Sequence, residues 1–335
     1  MKIVYHEAIQ KYDFPGTPIR GERFAQFLSK FAGKYSFTKC DKNVDVVKEI
    51  RRVHEAEYIE KIHRIAKKGG FCFPGTHINE NVLEGATASI ATLLYAAEII
   101  LDEGKMITAF TGNMHHAGKW YGEYYSIFNG IAVLVNWFKR HGYSKIFILD
   151  YDAHAGKGTM DIFYNDPTVF VFDIHQDPST MYPGTGFYWE IGEGDGEGYK
   201  CNVPLPRGAS DQSFQLVFEK LLRPIFQQYK PEVFITYGGA DICQADPTAK
   251  LEVTSYGLYN IGRFINMLSN KPKFTINIIS SGYNSYMFLD EWDVLLSGLL
   301  GINIPGKMAG DQVEKITQNI IEKTMVMLMH MWNFE

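Results

Sequence analysis

The segment FILDYDAHAGKG (147–158) places Asp150, Asp152 and His154 at positions i, i+2 and i+4. On an extended segment alternate residues share a face, so two carboxylates and an imidazole project together from a strand end. Oxygen and nitrogen donors of this kind suit Zn²⁺, and also Fe²⁺ or Mn²⁺. The bland reading is a polar turn whose acids cap the next helix. A second segment, YGGADICQADP (237–247), sets Asp241 just past an apolar strand and a glycine pair. A lone Asp there is commonly a cap or turn residue. Beside Asp152 and His154 it becomes the missing third ligand, and three protein ligands leave the open position a catalytic zinc requires.

Three further segments carry polar groups suited to proton transfer or charge stabilisation. TGNMHHAG (111–118) holds His115 and His116 in tandem after a strand. Imidazole titrates near working pH, and two of them facing an activated water make an acid/base arrangement; the plain alternative is a pair of surface residues. In SSGYNS (280–285), Tyr283 follows a Gly and a buried strand. Most such tyrosines only pack, but a phenol beside a metal can donate a hydrogen bond to a developing oxyanion. IHQDPSTMYPGTG (174–186) reads as a tight Pro-Gly turn from which Tyr182 could line a channel, and His175 reads as structural rather than as a ligand. His6, His54, His63, His77, His141 and His330 read as packing or surface residues. The glycines of GEGDGEG (192–198) follow no strand and open no helix, which removes the dinucleotide-binding reading.

These segments need a scaffold that brings distant loops together. Apolar β-rich runs at 2–6, 106–110, 145–150, 168–173, 232–237 and 274–279 read as strands, several of them buried on both faces. Helix candidates fall near 21–32, 55–67, 82–103, 126–140, 211–228, 254–269 and 310–330. The alternation predicts an α/β fold with three αβα layers and a central, mostly parallel sheet. Ligands in such sheets bind beyond the carboxyl ends of the strands, where the Gly-rich loops lie. Long loops at 69–85 and 187–199 are expected to shape the mouth of the site.

The 335 residues, with no repeat or linker, predict one domain over 1–335. A net charge of −5 favours neither nucleic acid nor an anionic membrane as a partner. Four scattered cysteines without a CxxC pair argue against a disulfide framework and against a four-thiolate zinc site. No apolar leader opens the chain, and no uncharged run approaches the roughly 18 residues of a membrane span. The expected location is cytoplasmic.

Taken in order, HHA, DxDxH, PGTG, GAD with a downstream DP, and GY make the chain resemble the histone deacetylase and acetylpolyamine amidohydrolase family, which shares its fold with arginases. The resemblance runs from the first strand to near residue 300. It implies that Asp152, His154 and Asp241 bind zinc and that His116 is general base and then general acid. It implies that His115, buttressed by Asp150, assists proton handling and that Tyr283 stabilises the oxyanion. Tyr125 and Tyr182 would flank a narrow tunnel for an alkyl-amine stem. The implied substrate is a small acylated amine, such as an acetylpolyamine, or acetyl-lysine. Acetylated small amines are preferred because no tail or basic patch suggests docking to chromatin.

Three positions depart from the family pattern. Ala155 stands where relatives have a second His, and Lys157 where they have an Asp or Asn that orients the second tandem histidine. A cation facing His116 would disfavour imidazolium; alternatively Lys157 points away. Asp173 stands where the family often has Ser, in a segment that contributes to a monovalent-cation (structural K⁺) site in relatives, so a carboxylate either strengthens or remodels that site. Two alternatives accompany the deacetylase reading. One is a metal-binding member that recognises acylated ligands without turnover. The other is an arginase-like ureohydrolase, which would need a second metal.

Overall fold

The segment Val169–Gln176, VFVFDIHQ, is buried at every position, as a strand covered on both faces must be. It is one of ten strands in the computed structural model, which describes residues 1–41, 45–310 and 312–334. In chain order they are β1 (Lys2–Tyr5), β2 (Ser36–Lys39), β3 (Gly70–Phe73), β4 (Thr76–Ile78), β5 (Met106–Phe110), β6 (Ile146–Asp150), β7 (Val169–Gln176), β8 (Lys200–Leu205), β9 (Val233–Gly239) and β10 (Phe274–Ser281). Eight hydrogen-bond in the order β2-β1-β5-β10-β9-β6-β7-β8, and β3 pairs with β4 as a separate ribbon. The pairs β1–β2, β1–β5, β6–β7, β6–β9 and β7–β8 are parallel. The fold is a parallel α/β sheet flanked by helices.

The chain divides into two compact units. The first comprises Met1–Tyr143, Lys157–Ile162 and Ile276–Ser280. Its long helix, Glu80–Glu103, starts where Asn79 Oδ1 accepts the Val82 N–H at 3.0 Å. By length and composition that helix is apolar enough to cross a membrane, but 72% of its most apolar window is buried, as in a core helix. Helix Gly130–Arg140 starts four residues later than the sequence pattern suggests, because Asn129 caps it through the Ala132 N–H and residues 123–126 make a tight turn instead. The expected loop at 69–85 contains the β3–β4 ribbon and the first turn of the long helix.

The second unit comprises Ser144–Gly156, Phe163–Thr275 and Ser281–Glu335. It holds β9-β6-β7-β8 with helices Asp211–Val217, Arg223–Tyr229, Ser255–Leu268, Phe288–Leu299 and Glu314–Leu328. A π-helical turn, Phe218–Leu222, joins the first two. The last helix falls inside the span predicted at 310–330, of which Asp311 lies outside the described residues. The strand β8 reads poorly from sequence because KCNVPL contains Lys, Asn and Pro. It ends the strand order, where a proline is tolerated. Its Lys200 is fully buried with Nζ donating to the carbonyls of Asp166, Val169 and Tyr199, so all three ammonium donors are satisfied.

Candidate active site

In the second unit β6 ends at Asp150, in register with Tyr237 of β9 and Asp173 of β7. The chain then bends rather than extending. The Asp152 N–H donates to Asp150 Oδ1 at 3.1 Å, and the His154 N–H donates to Asp152 Oδ1 at 3.0 Å. Asp152 and His154 therefore meet through a chain of local carboxylate turns, not through the same-face alternation of a strand.

Asp241 comes to them from the β9 end, where its two preceding glycines are required. A Cβ on Gly239 would lie 2.0 Å from the Ser281 carbonyl, and Gly238, at φ 156°, packs on the Tyr151 ring. That close approach lets the Ala240 N–H reach the Ser281 carbonyl at 3.0 Å and the Ser281 hydroxyl reach Asp241 Oδ1 at 2.8 Å. The Ala153 N–H donates to the same carboxylate.

The result is a group in which one donor atom each from Asp152, His154 and Asp241 lies within 4.8 Å of the others. Nδ1 of His154 is 3.1 Å from Asp152 Oδ1 and 3.3 Å from Asp241 Oδ2. Both carboxylates are buried and the imidazole is half-buried. Burial alone would lower the His154 pKa, but hydrogen bonds to Asp152 and Asp241 and their charges outweigh it and raise it. Burial, then the charge of Asp152, raises Asp241. Burial and these same carboxylates also hold the Tyr151 phenol up. Converging buried anions of this kind call for a cation. Two carboxylate oxygens and one imidazole nitrogen fit a divalent ion of the zinc type, with a coordination position left for a reactant.

Tyr283 is buried, and its N–H donates to Asp246 Oδ2 at 2.8 Å. Asp246 is the aspartate of the downstream DP, to which sequence reasoning gave no role. Its other oxygen takes the Thr248 N–H and hydroxyl, and burial raises its pKa. Ser281 was missed too, although it belongs to the SSGY segment. Tyr182 is half-buried before Pro183, to which it is joined by a cis peptide. In the 187–199 loop Phe187 and Trp189 stack at 4.5 Å.

In the first unit His115 and His116 are buried, with their Nε2 atoms 3.1 Å apart. Two ring nitrogens at that distance share one hydrogen, so one donates while the other accepts. The backbone around them is pinned. The His116 N–H donates to Ser126 Oγ, the His115 carbonyl accepts the Thr159 N–H, and Asn129 Nδ2 donates to the Ala117 carbonyl. A Cβ on Gly158 would lie 2.5 Å from the His116 carbonyl carbon, which explains the glycine after Lys157.

Lys157 itself turns to other groups. Its ammonium donates to the Tyr121 hydroxyl at 2.9 Å and lies 3.6 Å from Glu123 and 3.5 Å from Asp161. Tyr125 is half-buried, its N–H held by Thr76 Oγ1 and its ring edge-on to Phe14. Tyr124 and Tyr125 both have positive φ, 33° and 64°, an uncommon conformation for tyrosine. Of the histidines read as packing residues, His6 caps the turn at 7–11 and His54 accepts the Asn129 N–H.

Comparison with known proteins decides the family. Residues 15–299 match the histone deacetylase domain. The chain belongs to the histone deacetylase family. A probable deacetylase of Archaeoglobus fulgidus is 32% identical over 84% of this chain and 81% of its own length. The chloroplastic histone deacetylase 14 of Arabidopsis thaliana is 30% identical over 77% of this chain, and the match spans 65% of that protein. The acetoin utilization protein AcuC of Staphylococcus aureus is 30% identical over 66% of this chain and 60% of its own length. The crystal structure of the HDA15 HD domain superposes with a TM-score of 0.87 over 99% of this chain and 97% of that one, at 22% identity. This bears out the deacetylase-like α/β fold. As a histone deacetylase family member, the chain is a hydrolase of the deacetylase class.

Proposed function

We propose that this histone deacetylase family member is a Zn²⁺-dependent hydrolase of an N-acetyl amide carried on an alkyl amine. The observation that carries the metal half of the reading is the convergence of Asp152, His154 and Asp241. These three residues would hold the ion, and when bound it supplies Lewis acidity toward the acyl carbonyl and the attacking water. The nitrogen and oxygen donor set suits Zn²⁺ and also Fe²⁺, so the assay with each ion decides between them.

The remaining roles belong to the chain's own side chains. His116 takes a proton from the attacking water and returns it to the leaving nitrogen, so the amine departs neutral. His115, whose Nε2 shares a hydrogen with that of His116, spreads the transient positive charge. Asp150 supports it as a negative charge. Tyr283 directs its hydroxyl at the oxygen that gains charge, a donation realised mainly in the transition state. Tyr125 and Tyr182 enclose the apolar stem of the amine. A straight alkyl stem is what acetylpolyamines and acetyl-lysine share, and small amines are the preferred substrates.

The test is a panel of acetylated polyamines, acetyl-lysine peptides and longer acyl-lysines, assayed with added Zn²⁺, Fe²⁺ or Co²⁺. Acetate release that depends on the added ion and is fastest on an acetylated small amine is the expected result. Metal uptake with no acetate released from any member would overturn the reading in favour of a binding protein. Two ions bound per chain would favour a ureohydrolase-like centre.

A further inference from the structure

Outside the metal group, one fully buried histidine has both ring nitrogens against acceptors. His175 Nε2 lies 2.8 Å from the Gly186 carbonyl, and Nδ1 lies 2.5 Å from Asp173 Oδ1. Neither residue is more than 1% exposed. A carbonyl only accepts, so Nε2 carries a hydrogen. The other oxygen of Asp173 receives the Gly156 N–H at 2.8 Å, so both carboxylate oxygens accept and the hydrogen shared with the ring lies on Nδ1.

The geometry points to Asp173 and His175 as a permanently charged carboxylate–imidazolium pair that positions two active-site loops. One end is Gly156, two residues beyond His154. The other is Gly186, which closes the turn containing Tyr182. Gly186 sits at φ 99°, and a Cβ there would lie 2.6 Å from His175 Nε2, so the turn is fitted to this ring.

The charged groups around His175 agree in sign. Asp173 lies on its own strand, and Asp150 is the register partner of Asp173 on β6. On β8 Cys201 pairs with Phe172, its thiol held neutral by burial and then by Asp173, and the Glu190 carboxylate accepts the Gly186 N–H at 3.0 Å. Burial opposes the imidazolium, and Asp173 overcomes it. The pair also brings its own positive charge to Asp173. A carboxylate already holding two N–H donors, one of them cationic, is a poor seat for K⁺. The structural K⁺ implied by family resemblance therefore does not fit at this carboxylate.

Ring-nitrogen NMR of the full-length protein labelled at histidine tests the charge directly. His175 is expected to keep both nitrogens protonated above pH 6.5, where an ordinary imidazole has lost one; a singly protonated ring at neutral pH would overturn the pair. Asp173→Asn keeps both hydrogen bonds, its oxygen accepting from Gly156 and its amide donating to a now neutral Nδ1. The imidazolium signature should vanish in this variant while the fold survives.

The positioning role rests on the proposed metal site and is read separately. In a chelator competition with Zn²⁺, Asp173→Ala should retain the ion about tenfold less tightly, and Asp173→Asn should stay close to the native protein. Native-like retention in a folded Asp173→Ala would overturn the positioning role. Thermal melts in KCl and in N-methylglucamine chloride should coincide, and K⁺-specific stabilisation absent from Asp173→Asn would overturn the exclusion of K⁺. If no variant binds Zn²⁺, the failure lies with the metal site, and the NMR result still decides the pair.

Discussion

The Ser281 hydroxyl lies 2.8 Å from Asp241 Oδ1, so the last residue of β10 holds a carboxylate of the metal group. A carboxylate held by a fixed donor loses less freedom on taking up an ion. Ser281→Ala removes that donor inside a buried site. Zn²⁺ retention should fall by about tenfold, in the range common for partners of metal ligands. Ser281→Thr should restore most of it. Chelator competition on purified variants measures both, and an alanine variant with native affinity would show that the hydroxyl merely packs.

Asp241 and Tyr283 should fail in different ways. Asp241→Ala takes away one of three donors and leaves Asp152 and His154 as an incomplete set, so elemental analysis should find little bound metal. Tyr283→Phe leaves the backbone N–H to Asp246 and all three donors intact. It should keep its metal and lose on the order of 10²-fold or more in kcat with little change in KM, as expected for a donor acting mainly in the transition state. A fully active Tyr283→Phe would remove the oxyanion role.

Lys157 stands where a residue orienting the tandem histidines was expected, and its ammonium is engaged by Tyr121, Glu123 and Asp161. With the cation so engaged, Lys157→Met should leave the shape of the kcat/KM profile against pH unchanged. It should cost about 1 kcal/mol or less of stability, since the cluster is partly exposed. A displaced acidic or basic limb in the variant would instead place the lysine's charge on the histidine pair.

Much of this arrangement was legible in residue order, because strand ends and glycine pairs announce where a parallel sheet sets its ligands. Asp152 and His154 were named from their spacing and Asp241 from its place past a strand and a glycine pair; their donor atoms lie within 4.8 Å of one another, although local carboxylate turns rather than strand alternation bring the first two together. The supporting residues were not legible. Ser281 reaches Asp241 only because Gly239 lets two backbones touch, and Asp246 reaches the Tyr283 N–H across 37 positions. Neither has a local pattern. The strands β2 and β8 were hidden for a related reason. Each lies at an end of the strand order, where polar residues and a proline are compatible with pairing. The direction of Lys157 depended on Tyr121 and Glu123, more than thirty residues away in sequence.

His54 supplies a pH signature of folding. Its ring is buried and accepts the Asn129 N–H through Nε2 at 2.9 Å, which fixes a neutral ring. Burial holds its pKa down to about 4 against an ordinary value of 6.5, with backbone groups of Gly118 and Lys119 acting in the opposite direction. The native state thus resists a proton that the unfolded chain accepts. The stabilisation is complete above pH 6.5 and drains away as pH falls toward 4. For a buried group the difference amounts to roughly 3 kcal/mol across that window. His54→Gln keeps an oxygen for the Asn129 N–H but cannot titrate. Between pH 6.5 and 4 the native protein's melting temperature should therefore fall more steeply than the variant's. The two curves should run parallel above pH 7. Parallel curves throughout would mean that His54 takes up its proton as readily in the fold as out of it.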